Sequence, residues 1–297
     1  MKKIILMAVA ALMAMSVSAQ DIVKKVRLYK GNEIVAEQNY DELDSIVFVD
    51  VEKAASGGAL VGKFSVSATT QVQFSQGNLQ YVGTWQFAEN QWDYLGDNQS
   101  DNHRDLFGWG TGNNPTNVST DNSDYATFTD WGTNAISNGG NQANLWRTLT
   151  TDEWVYLFYG RANAATLFGL GSVNGVNGTI LLPDNWVTPS GVSFTASTTQ
   201  GLEDEDGDYY NTNGNNFSHN TYTKEQWSVL ESAGAVFLPA AGYRYGTGVD
   251  GVGSDGGYWS ATPDDTDYAY NLLFYSGGLY PQDSYRRYLG FSVRLVR

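Results

Sequence analysis

Cysteine is absent from the 297-residue chain, and histidine is nearly so. Without cysteine there is no disulfide bond, no thiolate metal site and no cysteine nucleophile, so an ordinary hydrophobic core must stabilise the fold. His103 and His219 are the only histidines, and neither has another His or Cys at metal-ligand spacing. We interpret both as solvated or turn histidines. No Gly-x-Ser-x-Gly motif presents a serine nucleophile, and we expect no catalytic residues and no enzymatic activity.

Positive charge is scarce as well. The chain has 17 Lys and Arg residues against 32 Asp and Glu residues, which gives a formal net charge of −15. Nucleic acid is therefore excluded as a partner, because its phosphates would be repelled. No stretch beyond the N-terminal residues is apolar enough to cross a membrane, so we expect no transmembrane segment in the mature chain.

The N-terminus carries the longest apolar run. Lys2 and Lys3 precede the apolar residues 4–14, and Val17-Ser18-Ala19 has the small residues of a cleavage site. Residues 1–19 are therefore predicted to be a signal peptide. A transmembrane anchor is the rival interpretation, but the run is shorter than the roughly 20 residues needed to span a bilayer. We expect an exported protein in a periplasmic, cell-surface or extracellular location.

The rest of the chain divides into a small β unit and one large domain. Residues 23–30 and 33–38 alternate apolar and polar side chains around a Gly31-Asn32 turn, which predicts a β-hairpin. Residues 45–51 predict a third strand. We assign residues 20–52 to this unit, which is either a spacer or docking module or a small accessory sheet. The small residues 54–58 predict a flexible linker over 53–63, followed by a large domain over 64–297.

Two helices and a series of antiparallel strands are predicted in the large domain, which makes it an α+β domain. The capping box Thr150-x-x-Glu153 opens a helix over 153–161, with Trp154, Leu157 and Phe158 on one face. A second capping box, Thr223-x-x-Gln226, opens a helix that turns Trp227 and Leu230 to the core and ends before Gly234. The predicted strands include residues 236–243, 258–261, 270–275 and 291–296.

One acidic run is a candidate calcium site. Five carboxylates surround Gly207 between residues 203 and 208, and Ca²⁺ prefers oxygen ligands of this kind. The candidate ligands are Asp204, Asp206 and Asp208. The run lacks the closing glutamate of an EF-hand, and we favour a solvated acidic loop as its interpretation. We therefore expect no cofactor.

Aromatic residues are abundant, with 9 Trp, 19 Tyr and 13 Phe. They exceed what a core of this size needs, and the surplus falls in loops between Gly and Asn residues. Exposed rings beside amide groups are typical of surfaces that bind sugars or proteins. The sequence therefore predicts a ligand-binding protein whose partner is an unknown protein or glycan.

Several motifs resemble those of known proteins. They are FSQGNL at 74–79, DLFGWG at 105–110, WRTL at 146–149, FLPAAGYR at 237–244, GYWSAT at 257–262 and YRRYLGFSVRLVR at 285–297. Residues 64–297 resemble the secreted proteins of gut anaerobes with a major paralogous domain of the Fibrobacter type, and the variable proteins of diversity-generating retroelements. The resemblance implies a C-type-lectin-like fold of the formylglycine-generating-enzyme type. That enzyme works with cysteines, which this chain lacks, so its activity is not implied.

In the variable proteins, a fixed scaffold displays the last strands and loops, whose codons are rewritten by adenine-directed mutagenesis. The resemblance implies scaffold roles for Trp259, Phe274, Gly290, Phe291, Ser292, Val293 and Arg294. It implies displayed, ligand-binding positions at Tyr268, Tyr270, Leu273, Tyr275, Gly278, Tyr280, Asp283, Ser284, Tyr285, Arg286, Tyr288 and Leu289. Such rewriting does not produce Trp, Met, Gln, Lys or Glu, and within 264–289 only Gln282 belongs to that set.

The six tyrosines of the window 264–289 fit a binding surface, because tyrosine offers a large contact area at low entropic cost. Ordinary surface tyrosines on a terminal hairpin would explain them as well. We predict an exported protein whose C-terminal face, at about 264–289, binds a protein or glycan, whether that face is fixed or diversified. The alternatives are a carbohydrate-active enzyme that uses Asp and Glu pairs, and a structural surface or adhesin subunit.

Overall fold

A computed structural model describes residues 25–30, 33–40, 57–197, 202–203, 209–210 and 216–297. The chain forms two units, Met1–Asp50 and Val51–Arg297. The predicted signal peptide and the predicted third strand at 45–51 lie outside the described residues. Within the described part of the chain, no helix is long and apolar enough to cross a membrane.

The first unit contains the predicted hairpin. Strand β1 (Lys25–Lys30) pairs antiparallel with β2 (Glu33–Asn39), and the register shifts once along the pair. The Glu37 carboxylate accepts hydrogen bonds from Lys25 Nζ and from Arg27 Nε, the latter at 2.6 Å. Both pairs join charged side chains across the two strands, an arrangement that stabilises a hairpin.

The second unit is an α+β domain of short, mostly antiparallel strands with two short helices. Its helices are α1 (Thr151–Val155) and α2 (Lys224–Ser232). Its strands are β3 (Phe64–Ser65), β4 (Gln71–Val72), β5 (Leu79–Tyr81), β6 (Trp85–Phe87), β7 (Phe168–Val173), β8 (Val176–Leu181), β9 (Leu202–Glu203), β10 (Tyr209–Tyr210), β11 (Thr221–Tyr222), β12 (Val236–Pro239), β13 (Tyr243–Tyr245), β14 (Gly248–Asp250), β15 (Asp255–Pro263), β16 (Tyr268–Tyr275) and β17 (Gly278–Arg286).

Two sheets organise this domain. A four-stranded sheet has the order β11-β7-β8-β12, in which only the β11–β7 pair is parallel. A three-stranded antiparallel sheet has the order β15-β16-β17 and is built from the longest strands of the domain. The remaining described strands form two-stranded hairpins. The three-stranded sheet carries most of the window 264–289, so it positions the predicted site.

Both predicted capping boxes are present. The Thr150 hydroxyl accepts a hydrogen bond from Glu153 N, and the Glu153 carboxylate accepts one from Thr150 N at 2.9 Å. The first helix is predicted over 153–161, but it is α-helical only to Val155 and continues as a π-helical turn, Tyr156–Gly160. The π-turn ends where Arg161 N donates to Tyr156 O at 2.9 Å. Its three predicted core side chains are buried, namely Trp154, Leu157 and Phe158.

Helix α2 begins and ends as the sequence predicts. Thr223 and Gln226 bond each other reciprocally at its start, and Trp227 and Leu230 are buried beneath it. At its end Ala235 N donates to Leu230 O at 3.0 Å, while Gly234 has a φ of +101°. This is the Schellman arrangement, in which a glycine takes the left-handed position that other residues avoid.

Two strand predictions are corrected. The strand expected over 236–243 ends at Pro239, because Gly242 turns the chain with a φ of +75° before β13 begins. Residues 291–296 are not a strand of either sheet. They form isolated bridges to Phe107, Tyr258, Phe74 and Arg147. The segment 291–296 is buried among several short elements. Each of these elements pairs with only one or two backbone groups of the segment.

Among the described residues, the domain core contains three clusters of buried side chains. One surrounds α1 and includes Phe274 and Leu279, a second is rich in tryptophan and includes Trp259, and a third surrounds α2. Residues 57–63, predicted as linker, contribute to the core, since Ala59 and Leu60 are buried. The packed domain therefore extends to the N-terminal side of residue 64.

Asp105 is a buried carboxyl group with an altered pKa. Its carboxylate accepts hydrogen bonds from Leu95 N at 2.7 Å and from Gln99 Nε2. Burial nevertheless raises the pKa of Asp105 to about 6. Because this native pKa exceeds that of an unfolded aspartate, roughly 4, the native state binds a proton more tightly between these two values. The contribution of Asp105 to stability therefore decreases as the pH rises through this window.

We expect Asp105→Asn to remove this pH dependence. The free energy of unfolding of the variant, compared with that of the wild type, should increase by about 2 kcal/mol from about pH 4.5 to about pH 7. The reason is that only the wild type must ionise a buried carboxyl group. Urea unfolding of both proteins at the two pH values measures the difference. Equal stability differences at both pH values would contradict a raised pKa.

Candidate functional site

The predicted scaffold residues are all buried around the three-stranded sheet. The Trp259 ring packs on Phe291 with centroids 4.7 Å apart, and its Nε1 donates to Phe107 O at 2.7 Å. The Arg294 guanidinium donates to Gln91 Oε1 at 2.8 Å. Less than a tenth of the surface remains accessible at each of Trp259, Phe274, Gly290, Phe291, Ser292, Val293 and Arg294. A substitution at one of these positions would disturb the packing of the core, because these side chains are not accessible at the surface.

The predicted displayed positions are mostly at the surface. Eleven of the twelve are half-buried or exposed, and Tyr285 is the most accessible at 37%. Gly278 is the exception, since it is buried. A Cβ atom on Gly278 would lie 2.5 Å from the Tyr280 ring and 2.9 Å from the Tyr275 ring. With these tyrosines in place, residue 278 has no room for a displayed side chain.

These positions do not form a single face. Side chains alternate along a strand, and directly paired residues of neighbouring antiparallel strands share a face. Tyr268 pairs with Arg286 and Tyr270 with Ser284, so these four lie on one face of the sheet, here called face A. Leu273 pairs with Tyr280, and together with Tyr275 they lie on the opposite face B. The C-terminal face predicted from the sequence is thus two surfaces.

The core explains why both faces are partly open. On face A, Leu272 and Phe274 are covered by the cluster around α1, which leaves Tyr268 and Tyr270 half-buried. On face B, Ala269 and Trp259 are covered by the tryptophan-rich cluster, which leaves Leu273 and Tyr275 half-buried. Each face is therefore covered at one end of the sheet and accessible at the other.

Face B carries Tyr275, Tyr280 and Tyr285, and together with the neighbouring Tyr243, Tyr245 and Tyr288 they are here called the tyrosine stripe. The rings of Tyr275 and Tyr280 stack at 5.7 Å, and their hydroxyl groups lie 2.8 Å apart. Tyr245 contacts Tyr288 edge-on at 5.7 Å. Burial raises the pKa of Tyr285, and the neighbouring Asp283, Asp255, Tyr243 and Tyr275 raise it further. Tyr285 therefore lies near both Tyr275 and Tyr243, and Tyr243 is two residues from Tyr245 of the other ring pair.

Part of the stripe was missed in the sequence. Tyr243 and Tyr245 lie on β13, outside the window 264–289, and Tyr245 is 55% exposed. The signal was present as the alternation Tyr-Arg-Tyr before the Gly246-Thr247-Gly248 turn. Such an alternation predicts two tyrosines on the same side of a strand. The arginine between them, Arg244, is buried and donates to Leu106 O at 3.0 Å.

A groove opens beside Arg286, the face A residue at the end of β17. It has a volume of about 680 Å³, and its walls are the loop 120–126 and the turn at Thr266 and Asp267. Arg286 and Tyr288 also line it. The Arg286 guanidinium lies 3.3 Å from the Asp267 carboxylate and 4.9 Å from the Tyr268 ring centroid. Tyr288 thus belongs to both the stripe and the groove.

Arg287 holds the two walls of this groove together. Its guanidinium donates to Tyr268 O and Asp265 O on one side, and to Ala126 O and Tyr125 O on the other, the last two at 3.4 and 3.5 Å. It also lies 4.3 Å from the Trp109 ring centroid. No feature of the sequence distinguishes the buried Arg287 from the half-buried Arg286.

No metal centre is present in the described part of the chain, where no three His, Asp or Glu residues come together to hold an ion. The candidate calcium ligands Asp204, Asp206 and Asp208 lie outside the described residues. His103 and His219 are both exposed in turns. At the stripe and the groove, the structure brings together tyrosine rings, carboxylates and the guanidinium of Arg286.

The fold and these surfaces define an α+β protein with an exposed aromatic face. The model of one family, described as "Domain of unknown function (DUF8237)", matches residues 201–296. The match includes the three-stranded sheet but covers less than half of the chain, and its description assigns no activity. Neither the curated proteins nor the solved structures gave a match. Function must therefore be argued from the site.

Proposed function

We propose that the chain is an exported ligand-binding protein that presents the tyrosine stripe to a protein or glycan. The observation that carries this proposal is the stripe itself, six tyrosines contributed by β13, β16, β17 and the segment after β17. Tyrosine rings offer a rigid apolar contact surface, and their hydroxyl groups add hydrogen bonds. The signal-peptide pattern of residues 1–19 supports export.

The separation of scaffold from surface supports the finer parts of the proposal. A C-type-lectin-like domain of the variable-protein type would need buried residues to hold the sheet and outward residues free to change. The seven scaffold positions are buried, and eleven of the twelve displayed positions retain exposed surface. Outward substitutions cost little stability when packing is not disturbed. Diversification by a retroelement remains a proposal that rests on the resemblance of the sequence.

A carbohydrate-active enzyme is a second candidate, and Asp255 is the residue that favours it. Burial raises the pKa of Asp255, in the direction that favours a general acid, and Asp255 and Asp283 both raise the pKa of Tyr285. An assay for reducing sugars released from polysaccharides, with Asp255→Asn as the inactive control, tests this candidate. If the wild type releases reducing sugars and Asp255→Asn does not, the function is catalysis and not binding.

The stripe should be tested by removing rings without unfolding the domain. We expect Tyr275→Ser combined with Tyr280→Ser to weaken ligand binding by about tenfold or more, because two stacked contact rings are lost. Binding is measured on arrays of extracellular proteins and of oligosaccharides, followed by titration of the strongest hit with both proteins. Near-ultraviolet circular dichroism confirms that the variant is folded.

Val187→Ser is the matched control, because Val187 is 78% exposed and lies outside the stripe and the groove. It should bind as the wild type does. Two results would refute the stripe as the binding surface: equal binding by the wild type and the double variant, or no hit on either array.

A further inference from the structure

We infer that the groove between the loop 120–126 and the turn 266–267 is a binding site for a neutral carbohydrate. This inference rests on the proposed binding function, because Arg286 and Tyr288 belong to the C-terminal window. It adds a defined site and a ligand class to that function. The groove volume, about 680 Å³, lies within the range of roughly 300–1,000 Å³ that is typical of small-molecule sites.

The polar groups of the groove match the hydroxyl groups of a sugar. Thr120, Ser123 and Thr266 supply hydroxyl groups, and Asn122 supplies an amide. The Asn122 Oδ1 atom itself is buried, so a ligand in the groove meets the rest of this side chain. A polyhydroxylated ligand satisfies such mixed donors and acceptors better than an apolar one.

The charges of the groove disfavour an anionic ligand. Asp121 and Asp267 line it together with a single cation, Arg286, whose guanidinium is already paired with Asp267 at 3.3 Å. Hydrogen bonds from Ser123 lower the pKa of Asp121, so this carboxylate is ionised at neutral pH. Ionised carboxylates accept strong hydrogen bonds from hydroxyl groups but repel phosphate, sulfate or another carboxylate. Two carboxylates and one paired guanidinium therefore favour a neutral ligand.

An aromatic wall completes the site. Tyr288 lines the groove. The ring of the exposed Tyr245 contacts the Tyr288 ring, with the centroids 5.7 Å apart. The turn that follows Tyr245 lies against the groove wall, since a Cβ on Gly246 would be 3.6 Å from Thr120 Cγ2. The apolar C–H face of a pyranose ring packs well on a tyrosine ring, while its hydroxyl groups point to polar neighbours. The polar wall and the aromatic wall therefore fit the two kinds of surface of one sugar.

The experiment uses a microarray of neutral, sialylated and sulfated oligosaccharides, probed with the protein and with groove variants. We expect binding to neutral oligosaccharides, and titration calorimetry with the strongest neutral hit should show about a tenfold loss for Asn122→Ala and for Asp267→Asn. Asp264→Asn is the matched control, because Asp264 is an exposed carboxylate in the same turn that does not line the groove. Its affinity should equal that of the wild type.

Three results overturn the inference. They are oligosaccharide binding that both groove variants retain, a preference for sialylated or sulfated glycans, and no glycan binding at all. In the last case the two proposals separate. If an extracellular protein still binds in a way that depends on Tyr275 and Tyr280, only the groove inference fails. If neither glycans nor proteins bind, the proposed function fails with it.

Discussion

Replacing Trp259 by alanine is expected to lower the free energy of unfolding by about 3–5 kcal/mol. The Trp259 side chain is 1% exposed, so the substitution opens a cavity in the tryptophan-rich cluster. It also removes the ring contact with Phe291 at 4.7 Å and leaves Phe107 O without the indole donor at 2.7 Å. Urea unfolding followed by circular dichroism measures the loss. Trp259→Phe should recover part of the packing but not the hydrogen bond.

Tyr285→Ala is the matched comparison, because Tyr285 contacts the same Phe291 ring, edge-on at 5.7 Å. Its side chain is 37% exposed, so we expect a loss of about 1 kcal/mol. A larger loss in the free energy of unfolding for Trp259→Ala than for Tyr285→Ala would show that Trp259 is a scaffold residue and Tyr285 a surface residue. Equal losses would show that Tyr285 is part of the scaffold and would remove the basis for a displayed face.

The features predicted best from the sequence are those that depend on neighbouring residues. The capping boxes at Thr150 and Thr223 are formed by side chains three residues apart, so they were visible without tertiary information. Gly234 was predicted as a helix end for the same reason. The π-turn after Val155 was not predicted, because its extra residue depends on packing around Arg161, whose guanidinium bonds Leu182 O at 2.8 Å.

The arrangement of the site was harder to predict because it depends on register. The sequence predicts one strand within the window 264–289, at residues 270–275, and it indicates neither β17 nor where β16 meets β17. Alternation along β16 places Tyr268 and Tyr275 on opposite faces, and the pairing decides which β17 side chains share each face. A register shift of one residue would exchange the β17 side chains between the two faces. Tyr243 and Tyr245 join the stripe through a bridge between Arg244 and Gly290, which are far apart in the chain.

The structure of the segment 291–296 also depends on contacts between distant residues, which the sequence does not show. Its apolar alternation predicted a strand, yet its backbone is shared among several partners rather than paired along one neighbour. Leu79 N donates to Val293 O and Ser75 N donates to Leu295 O, both at 2.9 Å. The motifs at 74–79 and 285–297 in the sequence are thus joined directly in space. This gives a physical reason for their joint occurrence, since each satisfies buried backbone groups of the other.

Arg287→Ala is expected to lower the free energy of unfolding by about 3 kcal/mol and to weaken binding in the groove. Four carbonyl groups, those of Tyr125, Ala126, Asp265 and Tyr268, lose their common donor, and a buried guanidinium that bridges two segments is removed. The ring contact with Trp109 is lost as well. Because Arg287 joins the turn 264–267 to the loop 120–126, its removal should also let the groove walls separate.

The neighbouring Arg286 provides the comparison for this prediction. Its side chain is 43% exposed and forms one ion pair at 3.3 Å, so Arg286→Ala should cost less than about 1 kcal/mol of stability. Arg287→Lys should recover little, because an ammonium group does not reach carbonyls on both walls as the planar guanidinium does. Urea unfolding gives the stabilities, and titration with the strongest neutral oligosaccharide gives the binding loss. Full recovery by lysine would mean that charge alone matters, and unchanged binding by a destabilised Arg287→Ala would show that the walls are held by other contacts.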